Sequence, residues 1–115
     1  GSSVDPNIIK KIKKIIKNYP TMVILDSYHT HEHVLNELQI YSKIVSKNCY
    51  IICCDTIIEL QPPVSKRPRP WKKGNNPMTA LKMFMKNNKN FINDKNIENK
   101  LLLSNMPKGY LKRIK

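Results

Sequence analysis

Val23-Ile24-Leu25-Asp26-Ser27-Tyr28-His29-Thr30-His31-Glu32-His33-Val34-Leu35-Asn36-Glu37-Leu38 changes its hydrophobic period in the middle, and that change decides the fold. The run Thr21 to Leu25 is apolar throughout and bounded by Pro20 and Asp26, the pattern of a strand buried on both faces of a parallel sheet. From Thr30, a residue suited to cap a helix, the apolar positions become Val34, Leu38, Tyr41 and Val45, with Leu35 alongside. That spacing is helical. A buried strand feeding an amphipathic helix is the repeating unit of an α/β protein.

The same unit extends in both directions. Upstream, Asp5-Pro6 sets a helix start, with Asp as cap and Pro at the first helical position. Ile8, Ile9, Ile12, Ile15, Ile16 and Tyr19 then recur at helical spacing, with lysines on the other faces. Downstream, Cys49 to Cys54 is a second buried strand that ends at Asp55. Residues 57–76 are expected to form a long irregular, basic, Pro-rich loop, and a loop of this length in a small domain is usually functional or mobile. Asn76-Pro77 opens a third helix, with Ala80, Leu81, Phe84 and Met85 facing inward. Lys100 to Ser104 and Tyr110 to Ile114 flank Pro107-Lys108-Gly109 and read as a hairpin. The expected order is α-β-α-β-α-β-β over a single domain, residues 1–115. The sheet is expected to be mostly parallel, with a C-terminal antiparallel hairpin at its edge.

Composition narrows the setting. No apolar run approaches the ~18 residues of a membrane span, and no secretory leader is visible. Cys49, Cys53 and Cys54 make an odd count without CxxC spacing, which fits free buried thiols in a reducing cytoplasm rather than disulfides or a zinc knuckle. The net charge of +13 attracts anionic partners in general. Its lysines are scattered among Asn and Ile, a mixture typical of compositional bias, which argues against a nucleic-acid function.

Chemistry concentrates at the strand ends. Both buried strands end in a carboxylate, Asp26 and Asp55, and open α/β sheets bind ligands just beyond the carboxyl ends of their strands. Two acids converging there repel unless a cation or proton intervenes, and hard oxygen ligands suit Mg²⁺. The alternative is that each Asp merely caps the turn that follows. His29, His31 and His33 cannot point one way on a helix, so they do not form a three-histidine metal site. His29, three residues after Asp26 and ahead of the helix, is the candidate for a catalytic base or substrate contact.

The stretch from Val23 to Leu38 also resembles the signature of the cephalosporin hydroxylase family and related sugar O-methyltransferases: a strand, Leu-Asp-Ser-x-His-Ser/Thr, then a helix with His-Val-Leu-x-Glu-Leu. The likeness continues through Tyr50-Ile51-Ile52, Asp55-Thr56, Asn76-Pro77-Met78-Thr79-Ala80, Phe91, Asp94 and Pro107-Lys108-Gly109-Tyr110-Leu111-Lys112-Arg113. Gly1-Ser2-Ser3-Val4-Asp5-Pro6 fits the family's loop after its third strand. The resemblance implies the C-terminal half of a class I, Rossmann-like S-adenosylmethionine-dependent methyltransferase acting on a small-molecule or sugar hydroxyl. It implies a divalent-metal site, with Asp26 as one ligand and Asp55 as another. It also implies that Ser2 and Ser3 run beside the cofactor's adenine ring. Cys54 departs from the pattern where the family carries Glu, which leaves the Mg²⁺ site one carboxylate short, because magnesium disfavours thiolate.

The family's Gly-rich cofactor turn has no counterpart, since the three glycines are Gly1, Gly74 and Gly109. The chain is therefore expected to supply one wall of the cofactor crevice and to be inactive alone. It is expected to associate with itself or with the missing half of the sheet across the strand Thr21 to Leu25. Two other functions stay open: a catalytically silent interaction module using that sheet edge, and a nucleic-acid-binding domain using the basic helix and Lys66 to Lys73.

Overall fold

The computed structural model describes residues 1–63 and 67–115, so Lys66 of the basic stretch lies outside the described residues. Among the described residues there are four α-helices and a four-stranded sheet. The helices are α1 (Pro6–Ile16), α2 (His31–Tyr41), α3 (Pro77–Asn87) and α4 (Lys95–Leu101). The strands are β1 (Val23–Leu25), β2 (Tyr50–Cys53), β3 (Phe91–Asn93) and β4 (Tyr110–Arg113), ordered β1-β2-β4-β3 in space.

The expected α/β fold is present, but its hydrogen-bonding differs from a mostly parallel sheet. Only β1 and β2 pair in parallel, Leu25 opposite Cys53, while β4 is antiparallel to both β2 and β3. The reason lies in the connections. The chain crosses over through α3 and lays β3 two strand positions from β2, in the same direction. It then returns through α4 and inserts β4 into the space between them.

The expected strand at Lys100 to Ser104 is not a strand. Asp94 caps α4 by accepting from the Asn96 amide at 3.0 Å, and Lys100 and Leu101 complete that helix. Leu102 and Leu103 are each 92% exposed. An apolar run in the sequence was therefore a surface feature. The third strand instead contains Phe91, whose ring packs on Phe84 at 5.8 Å between centroids. Pro107 to Gly109 turns the chain into β4 from α4, not from a hairpin partner.

The core lies where α2 and α3 cover one face of the sheet. Val34, Leu38 and Tyr41 of α2 meet Ala80, Leu81 and Phe84 of α3 over Leu25, Ile51 and Leu111. Leu38, Ile51 and Leu111 are fully buried, and each such side chain contributes roughly 1.5–3 kcal/mol. α3 starts as its sequence dictates. Asn76 Oδ1 accepts the amides of Met78 and Thr79, and Thr79 closes a capping box onto the Asn76 backbone.

α1 is also well formed, with Asp5 Oδ1 accepting the Asn7 amide at 2.7 Å, yet none of its residues is buried. Ile12 touches the core, and Ile15 stands 74% exposed. Among the described residues β1 pairs on one side only, and Met22 and Ile24 are exposed.

The described part of the expected loop, residues 57–63 and 67–76, contains local structure. A short 3-10 helix spans Thr56–Leu60, and Lys72 bridges to Asn75 through two backbone hydrogen bonds. No helix among the described residues is long and apolar enough to cross a membrane.

Candidate active site

The two parallel strands stay in register to their ends. Beyond them, the Cys54 amide still donates to the Leu25 carbonyl at 3.0 Å, so Asp26 and Asp55 leave the sheet side by side. Asp55 adopts a left-handed backbone, φ 54°, a conformation that Asp tolerates better than most residues and that turns the chain sharply into the 3-10 helix. His29 completes the group. Its Nε2 lies 3.2 Å from Asp55 Oδ2 and 3.8 Å from Asp26 Oδ1. One donor atom from each of the three residues falls within 4.8 Å of the others. The side chain of Asp26 is 65% exposed and that of Asp55 33%, so the cluster opens to solvent.

The surroundings fix the imidazole. Trp71 meets His29 edge-on, 4.9 Å between centroids at 90°, and Tyr28 stands edge-on to the same indole at 5.6 Å. The Arg69 guanidinium lies over Trp71, 5.1 Å from its ring. Asn105 donates from Nδ2 to Asp55 Oδ1 at 3.2 Å, leaving Oδ2 toward His29. The basic loop, Asn105 and the strand tips thus build one site from four separate parts of the chain.

Cys54 is buried beside the cluster. Burial first, then the charges of Asp26 and Asp55, push its thiol up to about 11. It remains a neutral thiol at pH 7 and adds no anionic ligand. The anionic donors for a cation are therefore the two carboxylates, with the His29 imidazole beside them. Mg²⁺ keeps several waters and is commonly held by one or two carboxylates, so Asp26 and Asp55 fit it without a third acid.

The other histidines are committed elsewhere. The His31 ring meets Thr79 Oγ1 at 2.8 Å, and its amide donates to Asn75 Oδ1. His33 Nε2 lies 3.2 Å from Ser27 Oγ, 3.1 Å from Ser3 Oγ and 3.5 Å from Glu37 Oε1. Ser27 donates to the same Glu37 oxygen at 2.7 Å, and Tyr41 donates to the Ser3 carbonyl at 2.6 Å. The serine and acid meet one and the same imidazole nitrogen, so this cluster is not a Ser-His-acid relay. It ties the Ser3 loop to α2, while Ser2 stays exposed.

Sequence reasoning brought together Asp26, His29 and Asp55 but missed Trp71, Asn105 and Glu37. Glu37 had a visible signal: it shares the apolar face of Val34, Leu38 and Tyr41, and it is 2% exposed.

Taken together, the sheet and its tips define an α/β protein with an acid-histidine cluster at the carboxyl edge of a parallel strand pair. The chain belongs to the rhamnosyl O-methyltransferase/CmcI family, whose pattern matches residues 1–114. It is similar to the Rhamnosyl O-methyltransferase of Mycobacterium tuberculosis (strain H37Rv) and to that of Mycobacterium bovis (strain BCG / Pasteur 1173P2). Each is 30% identical over 116 residues, covering 98% of this chain and 45% of the relative. The chain thus spans about half the length of the curated relatives it matches. No solved structure matches it.

Proposed function

We propose that this chain forms the metal- and acceptor-bearing half of an S-adenosylmethionine-dependent O-methyltransferase acting on a small-molecule or sugar hydroxyl. The observation that carries the reading is the convergence of Asp26, His29 and Asp55 at the strand tips, in a family whose curated relatives are named rhamnosyl O-methyltransferases. Asp26 and Asp55 would hold Mg²⁺, which when bound supplies Lewis-acid polarisation of the acceptor hydroxyl. His29, held by Trp71 and facing both carboxylates, orients that hydroxyl and receives its proton at Nε2 as the methyl group transfers. Trp71 excludes water from the imidazole. Ser2 and Ser3 line the cofactor side, and the anchoring of Ser3 through His33 and Tyr41 supports a fixed wall there.

The half-domain reading is supported by the free edge of β1 and by α1, a helix that buries none of its residues. Both are surfaces that a further strand and its packing layer would cover. On this reading the chain alone is inactive. Equilibrium dialysis with labelled S-adenosylmethionine tests it: the isolated chain should show no micromolar binding, and joined to the N-terminal half of a family relative it should bind. In that joined protein Asp26→Ala should lower methyl transfer to sugar acceptors by a factor of roughly 100 or more, on the order of the general acid-base and metal contributions combined. Micromolar binding by the chain alone, or full transfer with Ala at position 26, would contradict the proposal.

A further inference from the structure

Beside the strand tips the chain forms a concavity of about 340 Å³, a volume typical of small-molecule sites. Pro62, Pro63 and Trp71 give it apolar wall, and Arg67, Arg69, Lys72 and Lys73 bring four cations to it. Among the described residues, none of these four forms an ion pair with a carboxylate. Glu59, on the adjoining 3-10 helix, feels Lys73 at a distance. It is engaged by the Gly74 amide at 2.8 Å and by the Asn76 side chain. Four like charges around one small concavity repel each other, and an anion between them offsets that repulsion. Arg69 is held over the indole, which leaves the edge of its planar fork available for two parallel hydrogen bonds to a phosphate or carboxylate.

Trp71 belongs to both places: it walls this concavity and packs against His29. We infer that the concavity is the anion subsite of the acceptor, so that the methylated molecule is a small hydroxyl compound carrying a phosphate or carboxylate group. This rests on the methyltransferase reading above. The acceptor's hydroxyl lies at His29, its ring crosses Trp71, and its anionic group rests on Arg67, Arg69, Lys72 and Lys73. A nucleic acid is the less suited occupant, because the cations surround one compact concavity rather than follow a groove along which a backbone could run.

Trp71 is the single tryptophan of the chain, so its fluorescence reports directly on this site. The chain is titrated at fixed ionic strength with glucose 6-phosphate, glucuronate and glucose. Saturable changes with the phosphate or the carboxylate, at least tenfold tighter than with glucose, are expected, and the stronger of the two names the anion. Arg69→Ala and Lys73→Ala should each weaken that binding roughly tenfold, the size of one charge-assisted hydrogen bond. Lys10→Ala with Lys11→Ala on α1 should leave it unchanged. Equal affinity for glucose and both anions overturns the inference. So does an equal loss from the α1 substitutions, which would mark a diffuse field, or displacement by polyuridylate with a steep salt dependence, which would mark a nucleic-acid surface. Asp26→Asn and Asp55→Asn disable the metal reading but leave this anion affinity intact, so the two accounts fail separately.

Discussion

Replacing Asn76 by aspartate separates two roles that this side chain combines. Asp is as good a helix cap as Asn, so if Asn76 only capped α3 the change would be close to neutral. Asn76 is fully buried, however, and its amide group also donates to the Lys72 carbonyl at 3.0 Å and to Glu59 Oε2. A carboxylate cannot donate either bond. The Lys72 carbonyl and Glu59 Oε2 each keep one other donor, the Asn75 and Gly74 amides, so each lost bond costs only its own net worth, about 1 kcal/mol apiece. The new charge also faces the carboxylate of Glu59, and solvent screening of that half-buried group reduces the repulsion to about 1 kcal/mol. The expected destabilisation is ~3 kcal/mol. With a urea m-value of about 1.5 kcal/mol/M, the unfolding midpoint should fall by about 2 M. Adding Glu59→Gln to the Asn76→Asp variant should recover roughly 1 kcal/mol, because it removes the repulsion and not the lost donors. The Lys72 bond anchors the loop that carries Trp71, so the native emission of that tryptophan should shift as well. A midpoint within about 0.3 M of the parent, with unchanged emission, would refute the reasoning and reduce Asn76 to a cap.

Tyr50 donates to Asp94 Oδ2 at 2.6 Å, which lowers the Asp94 carboxyl and raises the Tyr50 phenol. The depressed acid contributes stability above its unfolded value and loses it as pH falls through the folded one. The raised phenol contributes below its unfolded value and loses it as pH rises through the folded one. The urea midpoint gap between parent and Tyr50→Phe should therefore be widest between about pH 4 and 10 and narrow at both ends, and a flat gap would contradict the pairing. A methyl group at Gly109 would collide with the Cys53 and Met106 carbonyl oxygens, so Gly109→Ala should force β2 and β4 apart. It should cost about 2–3 kcal/mol in thermal unfolding, and a loss below about 0.5 kcal/mol would contradict that packing. Among the described residues β1 has one unpaired edge and its Ile24 side chain is 61% exposed, so the parent chain should sediment as a dimer or larger at micromolar concentration. Ile24→Lys should sediment as a folded monomer, and a monomeric parent would remove the edge-pairing idea.

The parts of the fold legible in the sequence are those fixed by local chemistry. Asp5-Pro6 and Asn76-Pro77 announce their helices because a cap and a proline act within one turn. β1 and β2 stand out because both are short apolar runs closed by an acid, and the same acids mark the site. β3 was illegible for the opposite reason. Phe91-Ile92-Asn93 is a strand by virtue of β4, which lies far along the chain, and only Phe91 of its side chains is buried. Leu101, Leu102 and Leu103 misled in turn, since hydrophobicity in a sequence does not say which residues find a partner. Trp71 comes to His29 only through the path of an irregular loop, which no periodicity encodes. The order of β4 and β3 in the sheet follows from connections rather than from composition.

The central claim is that Asp26 and Asp55 form a divalent-cation centre with His29 beside it. Isothermal titration of the chain with Mn²⁺ and Mg²⁺ tests it most directly. The account predicts one weak site, with a dissociation constant on the order of 10⁻⁴–10⁻³ M, as few charged ligands imply. It should be lost in Asp26→Ala and in Asp55→Ala and tightened about tenfold by Cys54→Glu. Binding heats that persist unchanged in both alanine variants, or a parent chain that takes up neither cation, would contradict it.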